Sequence, residues 1–174
     1  SFTLGFISAL LFLKGEYSTN IIAGMFLVLS TWVDGADGEI ARLKFMETDI
    51  GKKLDIYCDN IIHFLIFVAI GFGVCQTTGN ILYLYIGGLA GIGGLLAFFL
   101  LSPLLIEKRT PESQLHSLND QGLAEKFANR DFIHFLFLVS VINQLEIFIS
   151  LAAIGTNIFV AYLIYPRFFK PKSS

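Results

Sequence analysis

Charge is what this sequence has least of. Asp, Glu, Lys and Arg make up 15% of its 174 residues, against about 25% in an ordinary soluble domain. Hydrophobic residues make up 55%, and the mean hydropathy is +0.70. A small soluble domain leaves most of its periphery in water, so a chain of this size has nowhere to hide that much apolar surface except a bilayer. The same composition excludes disorder and fibrous architectures. A net charge of −2 gives no sign of a nucleic-acid partner, because neutralising phosphates takes clustered Lys and Arg. Cysteine is equally sparse. Cys58 and Cys75 both fall in apolar stretches, and inert buried thiols are the favoured reading over a disulfide. No alternating strand pattern is present that could close a barrel, and open sheet edges are not tolerated in lipid. The expected fold is therefore all-α, a polytopic membrane protein.

What is abundant is apolar sequence in lengths near the roughly 20 residues that cross a bilayer as a helix. The first apolar segment, 1–13, lacks the basic flank and small-residue cleavage site of a signal peptide. It reads as the end of a membrane helix whose beginning lies upstream. Further spans are expected at about 20–43, 51–74 and 81–106. Residues 132–165 are long enough for two spans, with Asn143-Gln144-Leu145-Glu146 as the only polar break and the site of a tight reversal. The fifth span is expected to begin near Gly122 as an amphipathic helix in the interface. Six transmembrane helices in one domain, 1–174, follow. Pro166 and Pro171 are expected to end the last of them. With the loop after the second span on the cytoplasmic side, eleven of the twelve basic residues share that side and Lys14 alone faces the other, which sets the orientation under the positive-inside rule. Gly87, Gly88, Gly91, Gly93 and Gly94 crowd the fourth span. They read as packing surface, with Gly87 and Gly91 suited to helix or protomer contacts.

The acidic residues are unevenly spread. Seven of fourteen lie between Asp34 and Asp59, at the cytoplasmic ends of the second and third spans. A carboxylate at that depth is costly and is usually kept for function. Asp34 and Asp37 are three apart on one helix face, continued by Gly38 and Ala41. Asp55 and Asp59 are four apart on another, with Gly51 one turn earlier. Two such faces turned toward each other make a four-carboxylate pocket with open room beside it. Close carboxylates repel unless they take up protons or a cation. An oxygen-only ligand set favours Mg²⁺, Mn²⁺ or Ca²⁺ over zinc. Four carboxylates suffice for two ions with positions left for substrate phosphates, and Arg42 follows with a fork suited to phosphate. Helix capping is the plainer account of any one aspartate, but not of four at these spacings. Glu39, Glu47 and Asp49 fall off both faces and read as solvated, with Thr48 or Asp49 as the cap of the third helix.

The run Asp34-Gly35-Ala36-Asp37-Gly38-Glu39-Ile40-Ala41-Arg42, then eight residues, then Gly51-Lys52-Lys53-Leu54-Asp55-Ile56-Tyr57-Cys58-Asp59 resembles the signature of the CDP-alcohol phosphotransferases, D-x-x-D-G-x-x-A-R, x8, G-x-x-x-D-x-x-x-D. All eight fixed positions and every gap agree. The resemblance implies that Asp34, Asp37, Asp55 and Asp59 hold two divalent cations, Mg²⁺ or Mn²⁺, and that Asp59 is also the general base. It implies that Gly38, Ala41 and Gly51 make room for the cytidine nucleotide while Arg42 holds phosphate. The implied donor is CDP-linked, CDP-diacylglycerol or a CDP-polyol, and the acceptor is a small alcohol or a polyol phosphate. The product is a phosphodiester, with CMP released. Membrane lipids and a second protomer are the other implied partners. An upstream cytidylyltransferase domain is compatible with the abrupt start.

Outside the motif, Lys108, Arg109 and Arg130 lie in the cytoplasmic layer. They are candidates for an acceptor phosphate, Arg130 first, beside the plainer reading of positive-inside anchoring and anionic-lipid contact. His63 lies one turn beyond Asp59, and His134 one turn beyond Arg130. Both read as interhelical hydrogen-bond partners rather than site residues. His116 reads as solvated. Two other classes compete with the transferase reading. A metal-ion transporter would also carry intramembrane carboxylates, but these crowd one face and no polar path crosses the bilayer. A non-catalytic scaffold would have no use for an intact motif.

Overall fold

Among the described residues, the computed structural model has six helices: α1 (Phe2–Phe12), α2 (Tyr17–Leu43), α3 (Asp49–Thr78), α4 (Leu82–Glu107), α5 (Gln121–Ile142) and α6 (Leu145–Phe169). Three turns of two to four residues join α1 to α2, α3 to α4 and α5 to α6. The structure describes residues 2–43, 49–107 and 121–169, and among them there is no strand. Four helices contain segments long and apolar enough to cross a membrane: Tyr17–Asp37, Tyr57–Thr78, Leu82–Leu101 and Leu145–Tyr165. Phe2–Phe12 and Phe132–Ile142 are shorter apolar helices. The protein is an all-α polytopic membrane protein. The polar residues 121–131 are helical and continuous with the apolar part of α5, as expected from a start near Gly122.

Local chemistry accounts for the turns. Gly15 and Gly79 have φ of 70° and 71°, the left-handed region where a side chain is disfavoured. Asn80 Oδ1 accepts a hydrogen bond from Leu82 N–H at 3.0 Å and so caps the start of α4. Asn143, at φ 60°, occupies the left-handed region that Asn tolerates better than most residues. Gln144 N–H then donates back to the Val139 carbonyl at 3.1 Å. The reversal expected at 143–146 is thus a two-residue turn between α5 and α6.

These turns gather at one end of the bundle. Tyr17 Oη donates to the Val141 carbonyl at 2.9 Å, and Tyr83 Oη donates to Glu146 Oε2 at 3.2 Å. The last residues of α2 and α4 and the first residues of α3 and α5 therefore lie at the other end.

Packing centres on α3, which contacts α1, α4 and α6, with its most extensive contact on α4. The core holds Phe12, Ile66, Ile70, Leu136 and Ile149, all essentially inaccessible, while the outer faces carry Trp32, Leu89, Ile92, Phe99, Ile154 and Tyr162 exposed to lipid. The α4 glycines are what let the helices close. A Cβ on Gly71 would lie 2.7 Å from the Tyr83 carbonyl oxygen and 2.8 Å from Gly87 Cα. A Cβ on Gly93 would lie 2.8 Å from Thr156 Oγ1 on α6. Gly87 and Gly91 both meet α3, so their contacts lie within the protomer.

One expectation fails. Pro166 does not end α6, which runs on to Phe169. A membrane helix tolerates proline because local adjustment re-satisfies the freed carbonyl. Pro171 lies outside the described residues.

Candidate active site at the α2–α3 end of the bundle

The apolar window of α2 ends at Asp37 and that of α3 begins at Tyr57. Asp34, Asp37 and Asp59 therefore sit near the same end of the bundle, one short connection apart. Asp34 and Asp59 are half-buried and Asp37 is exposed. Gly35, between the first two, has open space where a Cβ would be. Gly38, Ala41 and Arg42 lie in the last turns of α2, and Gly51 and Asp55 in the first turns of α3. Their side chains lie outside the described residues. Asp49 is the first residue of α3, and Thr48 lies outside the described residues, as do Lys108, Arg109 and His116. Arg130 is helical in α5, two residues before Phe132, with its side chain also outside them.

Among the described residues, α2 packs on α1 and α5 while α3 packs on α1, α4 and α6, and α2 and α3 share no extensive contact. No group of three or more His, Cys, Asp or Glu side chains is drawn together as a metal site among the described residues; the Asp55 carboxylate is not one of them. The chemistry of the donor set, carboxylate oxygens with no sulfur or imidazole at the motif's fixed positions, fits a hard divalent cation.

Deeper along α3 is a cavity of about 170 Å³ between α3, α4 and α5. Asn60, His63 and Phe67 line it from α3, Gly91 and Gly94 from α4, and Phe132 from α5. His63 meets Phe132 edge to face, with ring centroids 6.0 Å apart and planes at 80°. This ring contact joins α3 to α5. His134 is exposed. Cys58 and Cys75 are free, half-buried thiols.

The sequence matches the CDP-alcohol phosphatidyltransferase family over residues 1–163. The chain belongs to this family. A comparison with curated proteins finds no match. Membership makes the protein a membrane transferase that passes a phosphatidyl-type group from a CDP-alcohol to an alcohol.

Sequence reasoning missed the cavity residues Asn60, Gly94 and Phe132. The available signal was weak: Asn60 is a polar residue directly after an aspartate in an apolar span. Phe132 carries no signal at all, since only helix packing brings it to His63.

Proposed function

We propose that the protein is a divalent-metal-dependent CDP-alcohol phosphotransferase of phospholipid or inositol-phosphate synthesis, with its reaction site on the cytoplasmic face. The observation that carries this reading is the complete eight-position motif, divided between the end of α2 and the start of α3. Asp34, Asp37, Asp55 and Asp59 would hold Mg²⁺ or Mn²⁺, two ions by the number of carboxylates. When bound, the ions neutralise the donor diphosphate and stabilise the CMP leaving group. Gly38, Ala41 and Gly51 leave room for the nucleotide against the backbone, and Arg42 binds phosphate.

Asp59 accepts the proton of the acceptor hydroxyl as its oxygen attacks the donor phosphorus. A new P–O bond forms to the acceptor, the P–O bond to CMP breaks, and CMP leaves with the electron pair. Arg130, with Arg109 and Lys108, would bind a phosphate on the acceptor if it carries one. The donor is CDP-diacylglycerol or a CDP-polyol, and the working unit is a homodimer.

The test is a screen of CDP-donors against alcohol acceptors in Mg²⁺, with products identified by mass spectrometry. CMP release that stops with EDTA is expected. Divalent-ion flux into liposomes with no CMP release from any donor would sink the reading.

A further inference from the structure

We propose that the cavity between α3, α4 and α5 receives the hydroxyl-bearing skeleton of a small polyol acceptor, and that Asn60, His63 and Gly94 govern which acceptor fits. The inference rests on the transferase reading and deepens it.

The position of the cavity follows from helix geometry. Asp59, His63 and Phe67 are spaced by four, so they run along one face of α3, and both His63 and Phe67 line the cavity. At 1.5 Å per residue, His63 lies about 6 Å deeper than Asp59 along the helix. On α5, Phe132 follows Arg130 by two residues. The cavity therefore lies just inside the bundle from the proposed base, on its face of α3.

Its chemistry selects the occupant. At about 170 Å³ it is smaller than the roughly 300–1,000 Å³ of sites for drug-sized ligands, too small for a diacylglycerol. Asn60 and His63 bring hydrogen-bonding groups, while Phe67 and Phe132 supply apolar faces at ring centroids 6.0 Å apart. An acyl chain would leave the imidazole of His63 against hydrocarbon, an unfavourable burial. A polyol offers hydroxyls to the polar pair and C–H faces to the rings. Gly94 sets the depth, because a Cβ there would meet nothing nearer than Phe67 Cε2 at 4.0 Å. Gly94→Ala thus takes space from the cavity without displacing a neighbour. Gly91 offers no such probe, since a Cβ there would lie 2.8 Å from Phe64 Cδ2.

The experiment compares wild type, Gly94→Ala and His63→Phe, reconstituted in lipid nanodiscs with Mg²⁺. CMP release is measured from CDP-diacylglycerol and CDP-inositol. The acceptors are glycerol, glycerol 3-phosphate, serine, inositol, inositol 1-phosphate and diacylglycerol. For the soluble acceptors used by wild type, each variant is expected to raise acceptor KM by about tenfold, the scale of one extra carbon in a fitted pocket. Donor KM should stay within about twofold, a split that general destabilisation would not produce. Thermal unfolding checks each variant, and if Gly94→Ala does not fold then His63→Phe decides. Unchanged acceptor KM in the folded variants, a parallel rise in donor KM, or turnover only with serine or diacylglycerol overturns the assignment. Absence of CMP release by wild type from every donor instead overturns the transferase reading, and this inference with it.

Discussion

Asp59 has the most demanding role of any residue in this scheme, since it is assigned both to the metal set and to the acceptor proton. Those duties separate in substitution. Asp59→Asn keeps the shape and an oxygen ligand but removes the base, so transfer is expected to fall by roughly 100-fold or more while a CDP-donor still binds. Turnover near the wild-type rate would show that another group takes the proton. Asp37→Ala and Asp55→Ala each remove a carboxylate with no base role and are expected to lose Mg²⁺-dependent donor binding. A normal titration of CDP-diacylglycerol in Mg²⁺ would contradict their assignment. The four aspartates were readable in the sequence because a carboxylate near hydrocarbon is rare enough to need a reason. His63 was visible too, but not what it does. A histidine one turn from an aspartate has the same spacing whether it hydrogen-bonds to a neighbouring helix or meets a phenylalanine edge to face.

Among the helices, α4 shows how glycine acts through placement rather than number. Gly71 of α3 and Gly87 of α4 oppose each other so closely that a side chain on either meets backbone, which cannot swing aside. Gly71→Ala is expected to destabilise the folded protein by about 1–3 kcal/mol, the usual range for overpacking. Gly88→Ala, one residue along from the Gly87 contact, has nothing within 4 Å of the new Cβ and is expected to be neutral or slightly stabilising. Unfolding in mixed micelles compares the two. Equal stability of both variants would mean that α3 and α4 separate more easily than their spacing implies. Gly87 and Gly91 were legible as a close-packing pair, but helix and protomer contacts use the same spacing, and only the positions of Gly71 and Phe64 assign the pair to α3. Pro166 illustrates the opposite limit. Its ring is a reliable helix stop in water, yet α6 continues through it.

The arrangement of the whole molecule rests on which turns share an end. The Tyr17–Val141 and Tyr83–Glu146 hydrogen bonds tie the three short turns together, so a single orientation applies to all of them. The proposed cytoplasmic reaction site, with the positive-inside rule behind it, requires that end to face away from the cytoplasm. After replacing Cys58 and Cys75 by serine, a cysteine introduced at Asn80 or Asn143 is expected to react with a membrane-impermeant maleimide added outside intact cells. A cysteine at Glu107, at the other end of α4, should react only after permeabilisation. The reverse pattern would put the aspartates outside the cell, away from cytoplasmic CDP-donors. The six described helices, their order, the 143–146 reversal and the clustering of aspartates in 34–59 all follow from local properties: hydropathy over about 20 residues, turn chemistry at Gly79 and Asn143, and fixed spacings in one contiguous stretch. Such information survives in a linear string because each piece involves near neighbours. The cavity beside Asp59 does not survive there. Its walls come from residues 60, 91, 94 and 132, on three helices, and only close packing in the bilayer brings them together.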